Sequence, residues 1–143
     1  MQIPNDFQYR NILNESLRSL IKKILYQVSQ RGLINEEHYY ITFNTKYYGI
    51  KIPEIQKINY PHTMTIVLQN LFWNLEIHDT YFSVSMNFNS IENNIIIPFN
   101  AIIEFVDPSS NFILTLKNNL REIKEITKKD KKNIINIDFN HQN

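Results

Sequence analysis

The side chains able to do acid–base chemistry or hold a metal are led by four histidines, His38, His62, His78 and His141. No two of them stand at an H-x-x-x-H spacing, and none has a carboxylate placed to complete a metal-ligand set. His38 and His78 fall at the ends of strand-like runs, His62 in a turn after Pro61, and His141 near the last residue, so all four read as exposed or capping groups. The Glu36-Glu37 pair precedes a strand-like run and reads as a solvated turn. With no cysteine, a disulfide framework, thiolate metal sites and a cysteine nucleophile are excluded. With glycine only at positions 32 and 49, no P-loop, dinucleotide fingerprint or G-x-S-x-G elbow can be written. We therefore expect no catalytic residue, no metal and no cofactor; the chain is not expected to be an enzyme.

What remains is recognition without covalent chemistry. Tyr39, Tyr40, Phe43, Tyr47, Tyr48, Phe72, Trp73, Tyr81, Phe82 and Phe88 crowd the middle of the chain. Most of them must fill a core, and the rest are available for an apolar groove. Along 81–88, Phe82, Val84, Met86 and Phe88 alternate with Tyr81, Ser83, Ser85 and Asn87, which gives a strand one apolar and one polar face. Phe82 and Val84 read as core.

These residues need a scaffold, and 143 residues suffice for one domain with a single core. Ile12, Leu13, Leu17, Leu20, Ile21, Ile24, Leu25 and Val28 repeat in steps of three and four, which predicts a helix over 7–31 closed by Gly32. Its apolar stripe is wide, with 12, 21, 25 and 28 flanking the line 13, 17, 20 and 24, so one side is expected on the domain and another on a partner. The pattern then alternates. Strands are expected at 38–44, 64–70, 75–78, 81–89, 94–98 and 112–116, with helical pieces at 53–58 and 99–105. A helix followed by closely spaced strands predicts an α+β, mainly β domain: a strongly bent sheet or partly open barrel over 38–116. Residues 118–143 carry six Lys+Arg and four Asp+Glu with no aromatic before Phe139, the composition of a tail. Near its end, Ile134, Ile135, Ile137 and Phe139 form an apolar cluster with two readings, a strand that pairs with its own domain or a short motif for a partner. The opening residues lack an apolar signal core and no run is long enough to span a membrane, so the expected location is cytoplasmic.

Several motifs at matching spacing carry a resemblance. His38-Tyr-Tyr-Ile-Thr-Phe-Asn-Thr, Gly49-Ile-Lys-Ile-Pro53, Tyr60-Pro-His-Thr-Met-Thr-Ile-Val-Leu-Gln69, Phe72-Trp-Asn-Leu-Glu76, Phe82-Ser-Val, Ile97-Pro-Phe99 and Phe105-Val-Asp-Pro-Ser109 resemble the alphaproteobacterial branch of the stringent starvation protein B family, SspB. The resemblance covers about residues 8–116 and implies an adaptor for the ClpXP protease that binds the ssrA degradation tag and tethers tagged proteins to the ClpX unfoldase. It implies a homodimer joined through the first helix, for which Leu17, Leu20 and Ile24 are the expected interface. It also implies an Sm-like core with a peptide groove. Met86, Ser85 and Phe88 on the latter half of strand 81–88, with Gln69 and Asn70, are the expected peptide contacts. A charged linker over 117–132 then leads to a segment, 133–143, in which Ile134, Ile135, Ile137 and Phe139 would dock on ClpX. Asn89-Ser90 stands where the family usually has Gly-Gly, and the tail is one residue shorter before its Phe than related tails.

The alternative is an Sm-like module for single-stranded RNA, which would combine a basic groove with stacking aromatics. Charge opposes it. The whole chain has a formal net charge of +1, and residues 33–116 hold three lysines (Lys46, Lys51, Lys57), no arginine and eight carboxylates, a local net of −5. Nucleic acid and membrane are therefore not expected among the partners.

Overall fold

The computed structural model describes the backbone of Asp6–Leu116 and the side chains from Gln8 onward. The chain divides into two compact units, Glu15–Leu116 and Met1–Asn14 with Lys117–Asn143; of the second, only the first turns of the N-terminal helix are described. The linker expected at 117–132 and the segment 133–143, with Ile134, Ile135, Ile137 and Phe139, lie outside the described residues.

Helix α1 runs over Asp6–Arg31. Ile21, Leu25 and Val28 are its buried line, and Leu17 and Ile24 are half-buried against the same core. Leu13 and Leu20 stay 56% and 38% exposed. Part of the wide apolar stripe is thus used by the domain and part is left on the surface. Gly32 ends the helix at φ +75°, its N–H donating to the Val28 carbonyl at 2.7 Å, a conformation that a side chain would strain.

The turn after α1 is held by one carboxylate. Glu37 accepts two bonds from the Arg31 guanidinium, at 2.8 and 3.0 Å, and a third from the Ile34 N–H at 2.9 Å. The hydrogen bond from Arg31 is the main reason that the Glu37 carboxyl titrates below its usual range, and the Ile34 N–H adds to it. A depressed acid stabilises the fold above its unfolded pKa and loses that contribution as pH falls through the folded value. Glu37→Gln is therefore expected to lower stability by about 0.5–1 kcal/mol at pH 7. The gap to wild type should narrow as pH falls through the depressed folded pKa of Glu37 and its charge is lost. Urea titrations at pH 7 and through the acid range below the usual carboxylate value check this; a constant gap would assign the effect to packing.

Among the described residues, seven strands follow: β1 (Tyr39–Asn44), β2 (Thr63–Leu68), β3 (Phe72–Ile77), β4 (Tyr81–Phe88), β5 (Ile91–Pro98), β6 (Ile102–Asp107) and β7 (Phe112–Thr115), with the short helix α2 (Glu54–Asn59) between β1 and β2. They form two antiparallel sheets, ordered β2-β1-β6-β7 and β3-β4-β5, and no closed barrel. The class is α+β, mainly β. β1 and β2 alternate as half-buried strands should, whereas β4, central in its sheet, is buried on both faces from Phe82 to Met86; Ile41 and Phe43 of β1, Phe82 and Val84 of β4, Ile95 and Ile97 of β5 and Phe105 of β6 are fully buried in one core.

The helix expected at 99–105 is corrected. Only Phe99–Ala101 make a 3-10 turn, and Ile102–Asp107 form β6, which fills the position between β1 and β7. The β-branched Ile102, Ile103 and Val106 favour a strand, and pairing on both sides satisfies a backbone that a short helix would leave half-bonded. Between β1 and α2, Lys51 makes a single bridge to Ile96, two bonds of 3.0 Å, and so covers the outer edge of β5 at that residue.

Candidate peptide-binding site

The residues expected to bind a peptide are distributed over both faces of β4. Met86 is 9% exposed and faces the core, paired with Phe72 of β3 and Asn93 of β5. Phe88, on the same face, is half-buried against the core. Ser85 is on the opposite face, 3% exposed, between Trp73 and Asn94; its hydroxyl accepts from the Asn94 amide at 3.1 Å. Gln69 and Asn70 fall just past β2, exposed in the bend that leads into β3.

The topology brings most of these to one end of the molecule. Phe72, the residue that ends the bend, pairs with Met86, so Gln69, Asn70 and Leu71 stand at the Met86–Phe88 end of β4. Leu71 is 77% exposed. Sequence reading missed it, as well as Trp73, which shares Ser85's face and stays outside the core cluster. The missed signal is a leucine between two polar amides and two aromatics, a residue with no core role in a turn. Exposed Leu71 with half-buried Phe72 and Phe88 offers apolar contact. The exposed side-chain amides of Gln69, Asn70 and Asn87 offer donors and acceptors without charge. Such a mixture suits an extended main chain with small or apolar side chains.

Sheet edges decide where such a chain can lie. β3 is an edge, but its register slips between Trp73 and Glu76 around Asn74 at φ +53°, a bulge that breaks the run of outward groups. β5 is covered toward its C-terminal end, at Ile96, by Lys51. β2 differs from both: among the described residues its only strand neighbour is β1, it runs six residues in register, and Thr63-Met-Thr-Ile-Val-Leu68 has no charge, proline or glycine. Natural edges normally carry one of those protections. The hydrogen-bond phase follows from Thr45, whose N–H donates to the His62 carbonyl at 2.9 Å. Since bonded pairs alternate along an antiparallel ladder, Met64, Ile66 and Leu68 bond β1, and the N–H and C=O groups of Thr63, Thr65 and Val67 point away from it. A bare ladder edge thus ends at the amide-rich bend.

Among the described residues no three His, Asp or Glu side chains gather as a metal site, and no helix is long and apolar enough to cross a membrane. Comparison with curated proteins finds no significant match. A family comparison does: the sequence model of stringent starvation protein B matches residues 11–138, all but the first ten and last five positions of the chain. A match over that much of the sequence shows that the chain belongs to the stringent starvation protein B family.

Proposed function

We propose that this protein is a cytoplasmic adaptor that captures proteins by an extended degradation tag of the ssrA kind and tethers them to the ClpX unfoldase for degradation by ClpXP. The observation that carries the reading is the bare edge of β2 running into the Gln69–Leu71 bend. An added strand gains main-chain bonds to Thr63, Thr65 and Val67, while Leu71, Phe72 and Phe88 supply side-chain selectivity. Membership of a protease-adaptor family supports it. Delivery is assigned to the tail, with 117–132 as tether and Ile134, Ile135, Ile137 and Phe139 as the ClpX-docking residues.

The adaptor works as a homodimer on this reading. Leu13, Leu17, Leu20 and Ile24 follow one another at steps of four, three and four, the spacing of a two-helix seam. Leu20 is the best probe of that seam, because Leu17 and Ile24 also contact their own core. Leu20→Asp is expected to convert dimer to monomer at micromolar concentration in sedimentation while the melting temperature of the monomer unit stays close to wild type. A wild-type monomer would remove the dimer from the proposal.

The capture step is tested by fluorescence anisotropy with a labelled ssrA peptide beside a single-stranded RNA. Peptide binding without RNA binding is expected; the reverse would favour the RNA module. The delivery step is tested by degradation of an ssrA-tagged fluorescent protein by ClpXP below its unaided KM. Removing 133–143 should leave peptide affinity intact and abolish stimulation.

A further inference from the structure

The start of β2, at the opposite end from the peptide bend, opens beside a cavity of about 480 Å³ lined by Lys46 and Lys57 together with Thr45, Tyr47, Gly49, Ile50 and Pro61. No carboxylate lines it; the nearest acid in sequence, Glu54, is exposed on the first turn of α2 and outside the lining. Among the described residues, neither the Lys46 nor the Lys57 ammonium has an ion-pair partner. These are two of the three lysines in a segment, 33–116, whose other charges are eight carboxylates. Two of the three lysine charges of this acidic segment therefore stand at one place.

The walls are held by the backbone. Thr45 donates through its N–H to the His62 carbonyl at 2.9 Å and through its hydroxyl to the Tyr60 carbonyl at 2.7 Å, which ties the end of β1 to the turn before β2. The Lys46 N–H is held by the Asn44 side chain at 2.8 Å, and the Ile50 N–H by the Tyr47 carbonyl at 3.2 Å. Gly49, at φ +96°, closes the loop against β5, where a Cβ would meet Pro98 Cγ at 3.3 Å. The two ammonium groups thus extend from anchored backbone rather than from a free loop.

We infer that this cavity is a subsite for carboxylate side chains of the captured polypeptide, at the far end of the β2 edge from the Gln69–Leu71 bend. The inference rests on the peptide-capture reading. Six residues of β2 span about 20 Å, so a strand added along that edge reaches the cavity about six residues from the bend. An acidic flank is repelled by the net negative charge of 33–116 and attracted to the two lysines here, which sets the direction of the peptide more than its overall affinity.

The test uses the full chain and ssrA peptides extended at either end by three aspartates or three asparagines. At one end, and not the other, the aspartate extension is expected to bind about fivefold tighter than asparagine at 50 mM salt, the advantage shrinking below about twofold at 500 mM. Lys46→Glu with Lys57→Glu should erase that advantage, and leave the asparagine-extended peptides within about twofold of wild type. Lys46→Gln with Lys57→Gln should erase it too, which separates the result from any effect of the reversed charges on folding. Equal affinity for both extensions, an equal advantage at both ends, or an advantage that survives in the double variants overturns the subsite while the capture reading stands. Failure of the asparagine-extended peptides to bind wild type overturns the capture reading, and the subsite with it.

Discussion

Val67→Pro is expected to weaken ssrA-peptide binding at least tenfold, and Val67→Ala by no more than about twofold. The Val67 N–H points away from β1, so proline there removes a donor from the open edge without breaking a bond of the existing sheet. One main-chain bond lost on binding is worth about 1 kcal/mol, and the ring adds a steric barrier to an incoming strand. The side chain itself is 38% exposed and pairs across the sheet with Tyr40, so alanine costs little fold stability. The same substitution at Ile66 would instead break the β1 ladder and unfold the sheet. Anisotropy on the two Val67 variants, with thermal melts as control, checks the result. Unchanged affinity in Val67→Pro would place the peptide elsewhere than on β2.

The second large effect separates a core residue from a surface one at the same end of β4. Met86→Glu is expected to lower stability by roughly 3–5 kcal/mol, because a carboxylate would be forced between Phe72 and the core with no partner. Against a total stability of about 5–15 kcal/mol, that substitution leaves a poorly folded protein rather than a selective binding mutant. Leu71→Asp should do the opposite. At 77% exposure it has little packing to lose, so stability should stay within about 0.5 kcal/mol of wild type while peptide affinity falls about tenfold. Urea titration and anisotropy on both variants decide the matter. A Leu71→Asp protein that binds normally would remove the bend from the site.

The sequence alone determined the elements whose own periodicity is strong. The three-four repeat from Ile12 to Val28 with Gly32 after it defined α1 nearly to the residue, and the two-residue alternation defined β1, β2, β4 and β5 within one to three residues. It also narrowed the chemistry: with no cysteine, glycine at two positions only and no histidine pair at ligand spacing, the sequence holds no thiol, phosphate-loop or histidine-metal motif. The family was legible because its motifs run in order through the chain, some on those strong elements and others, such as Gly49–Pro53, Phe72–Glu76 and Phe105–Ser109, outside them.

Tertiary structure decided what periodicity leaves open. Ile102–Asp107 became a strand because β1 and β7 offered partners on both sides, a condition that no local pattern contains. Which of two apolar lines on α1 meets the core depended on the shape of the sheets, and the core took Ile21, Leu25 and Val28. Met86 was apolar in either reading; only the pairing with Phe72 assigned it to the core side and left Ser85 beside Trp73. The openness of β2 is a property of sheet order rather than of its residues, since the same six side chains in a central strand would expose no backbone. Sequence determines what a segment is able to bury, but which backbone groups remain without a neighbour is settled only when every other strand has found its place.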